Sequence, residues 1–248
     1  MKRKRRRFVT KRLNSWTVDG REEFSEFSVV GSFADNPEAF VSHAAMLKDF
    51  VELPAQAAVA VWHMGPPLVA GERLSSEASE RAREIQAEIV GDIALSIPER
   101  NKMKNWIAKV DKQRRPRPPF QQYVIQPPMK WERSEKGRKL YQRFSCAGFV
   151  IECFVAAGIN LIDSASLPAV DEQLLSAAYP VLVRIEQTTP EAQAKFGFKG
   201  RGDLGLVDEG PWPIVLAGYL FHSLQRASSE NPRPAAHAPA TAAEAYYR

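Results

Sequence analysis

Apolar residues in this chain recur in short runs that end at proline or glycine, and the period within each run predicts its element. Phe24-Ser25-Glu26-Phe27-Ser28-Val29-Val30 alternates and reads as a strand, with Gly31 to Asn36 as the connection that follows. Phe40, Ala44, Leu47 and Val51 return at helical spacing between Pro37, which suits a first turn, and Pro54. With Asp35 or Asn36 as the cap, that spacing predicts a helix over 37–53. Ala57 to His63 is a valine-rich run containing Trp62 and stopped by Met64-Gly65-Pro66-Pro67, which predicts a buried strand.

From Ser75 the pattern is helical again, with Ile85, Ile89 and Ile93 as its stripe, until Pro98 interrupts it. A further helix is expected from Glu99 through Trp106 and Ile107 to Val110. Residues 112–119, with Arg114-Arg115-Pro116-Arg117 at their centre, are too rich in proline for a helix and read as a linker or extended arm. After Gln126-Pro127-Pro128 comes a charged stretch, Glu132 to Arg143, and then an apolar helix from Cys146 to Ala157 with Gly158 in the C-cap position. The whole is expected to be α+β: a single domain over 13–227 with helices in its N-terminal half, a basic disordered tail over 1–12 and a Pro/Ala-rich disordered tail over 228–248.

Composition adds little to this. With 248 residues and 44% apolar positions the chain has enough material for one substantial core. The formal charge of +5 is local, because Lys2 to Arg7 contribute six positive charges and the rest of the chain stands at −1. A like-charge block stays unfolded, so a solvated tail is the first reading of residues 2–7, and weak contact with nucleic acid or an anionic surface is the other. No run approaches the roughly 20 apolar residues of a membrane helix, and no apolar signal core follows the basic start, so a cytoplasmic protein without an integral membrane segment is expected. Cys146 and Cys153, seven residues apart on one helix, are separated by about 10 Å and are expected to be free thiols.

The chemistry concentrates at Cys146. Ser145 is a natural N-cap, which leaves Cys146 in the first turn, where unpaired amides and the positive end of the helix dipole favour a thiolate. The small Ala147 and Gly148 beside it would let a substrate carbonyl approach an amide that stabilises a developing oxyanion. No metal or cofactor is expected: no two histidines share a helix face, the cysteine spacing is wrong for zinc, and the glycine-rich Gly197 to Asp203 lacks the ending of a phosphate loop.

The run Phe144-Ser145-Cys146-Ala147-Gly148-Phe149-Val150 through Gly158-Ile159-Asn160-Leu161 resembles the cysteine helix of the NlpC/P60 superfamily of papain-like hydrolases, a match over about 18 residues. The resemblance implies a papain-like antiparallel sheet packed on the Cys146 helix, a cysteine nucleophile, a histidine base on a strand, and hydrolysis or transfer at amide or ester bonds of a peptide or acyl substrate. Gly202-Asp203-Leu204-Gly205-Leu206-Val207 is similar to the Gly-Asp strand of that family, and Trp212 to Tyr219 to the strand that carries its histidine. Val215 or Leu216 stands at the histidine position. His222 follows a few residues later and is the first candidate for the base. Permuted relatives place histidine before cysteine, which brings in His43 and His63.

Three functions therefore stay open. The first is a cysteine hydrolase or acyltransferase using Cys146 and His222. The second is a non-catalytic binding module of the same fold, motivated by Val215 or Leu216. The third is nucleic-acid binding through the basic arm and Arg114-Arg115-Pro116-Arg117.

Overall fold

The computed structural model describes residues 11–12, 26–33, 40–51, 58–64, 89–91, 93–114, 122–179, 200–225, 239 and 241–245. The chain is mixed α+β. Five strands, β1 (Lys11–Arg12), β2 (Val29–Phe33), β3 (Val41–Val51), β4 (Ala58–His63) and β5 (Ile89–Gly91), form an antiparallel sheet in the order β1-β5-β2-β3-β4.

Within the expected helix over 37–53 the chain forms β3, an interior strand of the sheet, while residues 37–39, 52 and 53 lie outside the described residues. Ala44, Ala45, Met46 and Leu47 are all buried, and successive residues of a strand point to opposite faces. Both faces of β3 are therefore covered, and a strand covered on both faces carries a continuous apolar run with no alternation. Phe40, Ala44, Leu47 and Val51 fall at helical intervals within that run by coincidence. For the same reason Ile89, expected in a helix, lies in β5 and is fully buried. Of the rest of that expected helix, residues 75–88 and 92 lie outside the described residues, and Ile93 to Ser96 form no helix. The strand expected at 24–30 starts later, at Val29, after a turn in which Phe27 takes a positive φ of 73°. The strand expected at 57–63 is β4.

Helix α1 (Ile97–Arg114) opens on a capping box. The Glu99 carboxylate accepts from the Ser96 amide at 2.8 Å and from its hydroxyl at 2.7 Å, with Pro98 in the first turn. Met103, Ile107 and Val110 form its buried stripe. The helix continues to Arg114, so the expected linker over 112–119 begins later than predicted, and 115–119 lie outside the described residues.

Strands β6 (Met129–Arg133) and β7 (Lys139–Phe144) form a hairpin that leads through Ser145 into α2 (Cys146–Ala156). Helix α2 ends as expected at Gly158, whose φ is +83°. The amide of Gly158 bonds to the Val155 carbonyl and that of Ile159 to the Phe154 carbonyl, a Schellman closure. Trp106 of α1, Phe144 and Phe149 meet with ring centroids 5.4 to 5.7 Å apart, locking α1, β7 and α2 together.

The downstream strands are shorter than expected. Ala169–Val170 (β8) pairs with Trp212–Pro213 (β9), and α3 (Glu172–Ala178) follows β8. The segment expected to be a Gly-Asp strand is a turn of 3₁₀ helix, Arg201–Leu204, closed by Gly205 at φ +82°. Three glycines in six residues favour such a turn over a strand, and its Leu204 carbonyl accepts the amides of Ile125 and Gln126. Nor is Trp212 to Tyr219 one strand: α4 (Ala217–Gln225) starts at Ala217. Helix α4 lies directly on the sheet, because Gly31 of β2 and Gly91 of β5 have no side chain to hold off Phe221 and Leu224.

Within the segment read as a C-terminal tail, Ala242–Ala245 form a 3₁₀ turn with Ala245 buried against Gly218 of α4. Lys11 and Arg12, read as part of the basic tail, pair with β5, while residues 1–10 lie outside the described residues. Among the described residues no helix is long and apolar enough to cross a membrane.

Candidate functional site

Cys146 is the first residue of α2, as the sequence predicts. Ser145 is its N-cap: the backbone there is extended, and the side chain accepts from the Gly148 amide at 2.9 Å. Ser145 is itself fully buried and its own amide bonds to the Pro128 carbonyl at 3.0 Å. Replacing Ser145 by alanine leaves the Gly148 amide without its acceptor in a dry place. We expect Ser145→Ala to lose about 1–2 kcal/mol in urea unfolding, at the upper end for an N-cap. A loss below a few tenths would mean that water reaches the amide.

Cys146 is 2% exposed. Burial pushes its thiol above the ordinary cysteine range, while hydrogen bonding from the backbone amides of Ala44, Ala147 and Cys146 itself works the other way. At rest it is therefore a neutral thiol at the amino end of α2. Ala44 belongs to β3, so the centre of the sheet and the start of α2 meet at this sulfur. Two phenols lie close by. Burial raises Tyr123 and Tyr179 well above the usual tyrosine range, with the neighbouring Cys146 as the next cause for each. Both stay protonated, and the Tyr179 hydroxyl is 3.5 Å from the Val215 carbonyl that it faces.

Arg143, three residues before Cys146, fixes the segment that carries Tyr123. Its guanidinium donates to the Tyr123 carbonyl at 2.6 and 3.1 Å, to the Asp203 carbonyl, and to the Glu132 carboxylate at 2.9 Å. Neither tyrosine nor this arginine is marked in the sequence. Their importance comes from tertiary contacts across 20 or more positions, which no local pattern encodes. Gly148 also turns out to serve packing rather than substrate approach. A Cβ there would overlap the Pro128 carbonyl.

The histidines separate into two groups. His43 is on β3, next to Ala44, and not on a helix as its neighbours suggested. His63 is the last residue of β4, opposite Ala45. The two rings meet edge to face with centroids 5.4 Å apart. Each ring keeps some exposed surface, but Nε2 of His43 and Nδ1 of His63 are buried without a hydrogen-bond partner. Burial, and then the neighbouring His63, lower His43 to about 3, and burial lowers His63 to about 4. Both imidazoles are neutral near pH 7. His222 lies in the last turn of α4, half-buried between Phe221 and Ser223.

Cys153 faces the core from the last turns of α2, with its thiol raised by burial, and both cysteines are free. No family model, curated protein or solved structure matches the chain.

Proposed function

We propose that the protein is a cysteine hydrolase or acyltransferase acting on amide or ester bonds, with Cys146 as nucleophile. The observation that carries this reading is the place of Cys146 as the first residue of α2, behind the Ser145 cap, where it meets the set of unpaired first-turn amides. Such a set suits a developing negative charge, first on sulfur and then on a carbonyl oxygen, and an inert core thiol has no need of it.

The base must be neutral and near the thiol. His43 meets the first condition and lies on β3, the strand on which the start of α2 packs. Its Nε2 has no other partner to lose. His63 packs against its ring and orients it. His222 is the alternative base. In the reaction the Cys146 proton passes to the imidazole as sulfur bonds to the acyl carbon. The imidazolium then returns that proton to the departing alcohol or amine, leaving a thioester that water or a second acceptor resolves. Because the resting pair is neutral thiol and neutral imidazole, charge appears only once substrate is bound.

The test is intact-mass spectrometry after incubation with a series of p-nitrophenyl acyl esters. An acyl adduct is expected on Cys146, lost in Cys146→Ala, kept in Cys153→Ala and slowed strongly in His43→Gln but not in His222→Gln. A dependence on His222 alone would exchange the base. Acylation that is the same in Cys146→Ala would remove the nucleophile, and with it the proposed function.

A further inference from the structure

The β6–β7 hairpin carries charge that its own fold does not explain. Arg133 of β6 stands directly opposite Lys139 of β7 in the strand register, and like charges so placed repel. Lys136 and Arg138 lie in the connecting turn between them. Among the described residues none of these four cations has a carboxylate within 4 Å: Glu132 is taken by Arg143 at 2.9 Å and approached by Lys130 at 3.9 Å, and Glu135, in the same turn, pairs with none of the four. The turn itself is well made. Gly137, at φ +75°, lets its amide bond to the Ser134 carbonyl, the Arg138 amide bonds to the Ser134 hydroxyl, and Arg133 donates to the Gly137 carbonyl at 2.9 Å. The cations are thus held together on a fixed scaffold in spite of their repulsion.

Beside them Trp131 is half-buried, with the Lys139 ammonium 5.0 Å from the centre of its ring. The wider chain repeats this asymmetry. Residues 97–143 contain fourteen Lys and Arg against four Asp and Glu, whereas 144–225 contain nine Asp and Glu against four Lys and Arg. Within the first stretch α1 carries six of the cations and the β6–β7 hairpin six more.

We infer that the β6–β7 hairpin docks a single nucleic-acid strand, with phosphates on Arg133, Lys136, Arg138 and Lys139 and a base against Trp131. Cations crowded without acidic partners are stabilised when a phosphate backbone releases its counterions to them. An aromatic ring among them adds stacking, which a base of any sequence can use. A membrane surface fits less well. The tip, Ser134-Glu135-Lys136-Gly137, has no apolar side chain to insert, and interfacial binding needs one. The inference is independent of the chemistry at Cys146.

Fluorescence anisotropy of a short fluorescein-labelled oligonucleotide with the full-length chain tests it. Binding should weaken steeply between about 50 and 200 mM salt. The triple variant K136E/R138E/K139E should bind more than tenfold more weakly and flatten the logarithmic salt slope by about 2, since each cation on a single strand contributes roughly 0.7. Trp131→Ala should cost about tenfold with the salt slope unchanged, the signature of lost stacking. The glutamine triple K136Q/R138Q/K139Q, whose turn keeps Gly137, provides the same comparison if the glutamates disturb folding. Binding that survives both triples, or that disappears on deleting residues 2–7 alone, would overturn the inference in favour of the N-terminal arm. So would hairpin-dependent binding to phosphatidylserine vesicles with none to the oligonucleotide.

Discussion

Gly148→Ala is expected to lower the melting temperature by roughly 4–8 °C, although the same change in an open helix would raise it. Alanine gains about 1 kcal/mol over glycine within a helix. Here the added methyl overlaps the Pro128 carbonyl, which is backbone and cannot swing aside. Either α2 or the Pro128 segment must move, and that movement strains the hydrogen bond from the Ser145 amide to the same carbonyl. Overpacking of this kind costs about 3 kcal/mol, so a net loss of about 2 kcal/mol remains, equivalent to 2–4 °C for each kcal/mol in a chain of this size. Acylation of Cys146 should fall in parallel, since the shift occurs two residues from it. Gly158→Ala is the control: it has the left-handed backbone but open space around it, and should cost only about 1 kcal/mol. A Gly148→Ala protein that melts higher than the parent would contradict the close approach.

The second large effect is with pH. In the folded chain His43 is lowered to about 3 and His63 to about 4, both below the 6.5 of an unfolded histidine. Between these values the unfolded chain binds protons that the folded chain refuses. Stability is therefore complete above pH 6.5 and falls as pH drops below it. Two such sites set a limiting slope of about 2.7 kcal/mol per pH unit. Urea midpoints measured from pH 7.5 down to 5 should fall steeply, and His43→Leu with His63→Leu should remove most of that fall while carboxylate titration, which lies lower, is unchanged. Parallel curves for parent and double variant would show that the two imidazoles are already protonated or hydrated in the folded state.

What the sequence made legible was local. Ser145, Cys146 and Gly158 define α2 because capping chemistry is written within a few residues of each helix end, and Ala58–His63 is a strand because its run is short and bounded. What was hidden was context. Nothing within Val41–Val51 announces that both its faces are covered, so its apolar spacing imitates a helix. The same misreading puts His43 on a helix, whereas it lies on β3. The downstream segment misled in the opposite sense. Gly202 to Val207 was read as a strand from its likeness to a family pattern, where its glycine density favours the turn that forms. Tyr123, Tyr179 and Arg143 had no signal at all, because their roles depend on partners 20 or more positions away.

The two buried thiols also give the molecule an internal clock. Cys146 sits at the first turn of α2 and Cys153 near its last, both shielded and both held protonated by their surroundings. An alkylating reagent too bulky to enter the proposed acyl site meets either one only while that end of the helix is open, so each labelling rate reports the opening free energy of its own end. One helix thus carries two reporters, and their ratio measures whether α2 frays from the cap or lifts from the core as a unit.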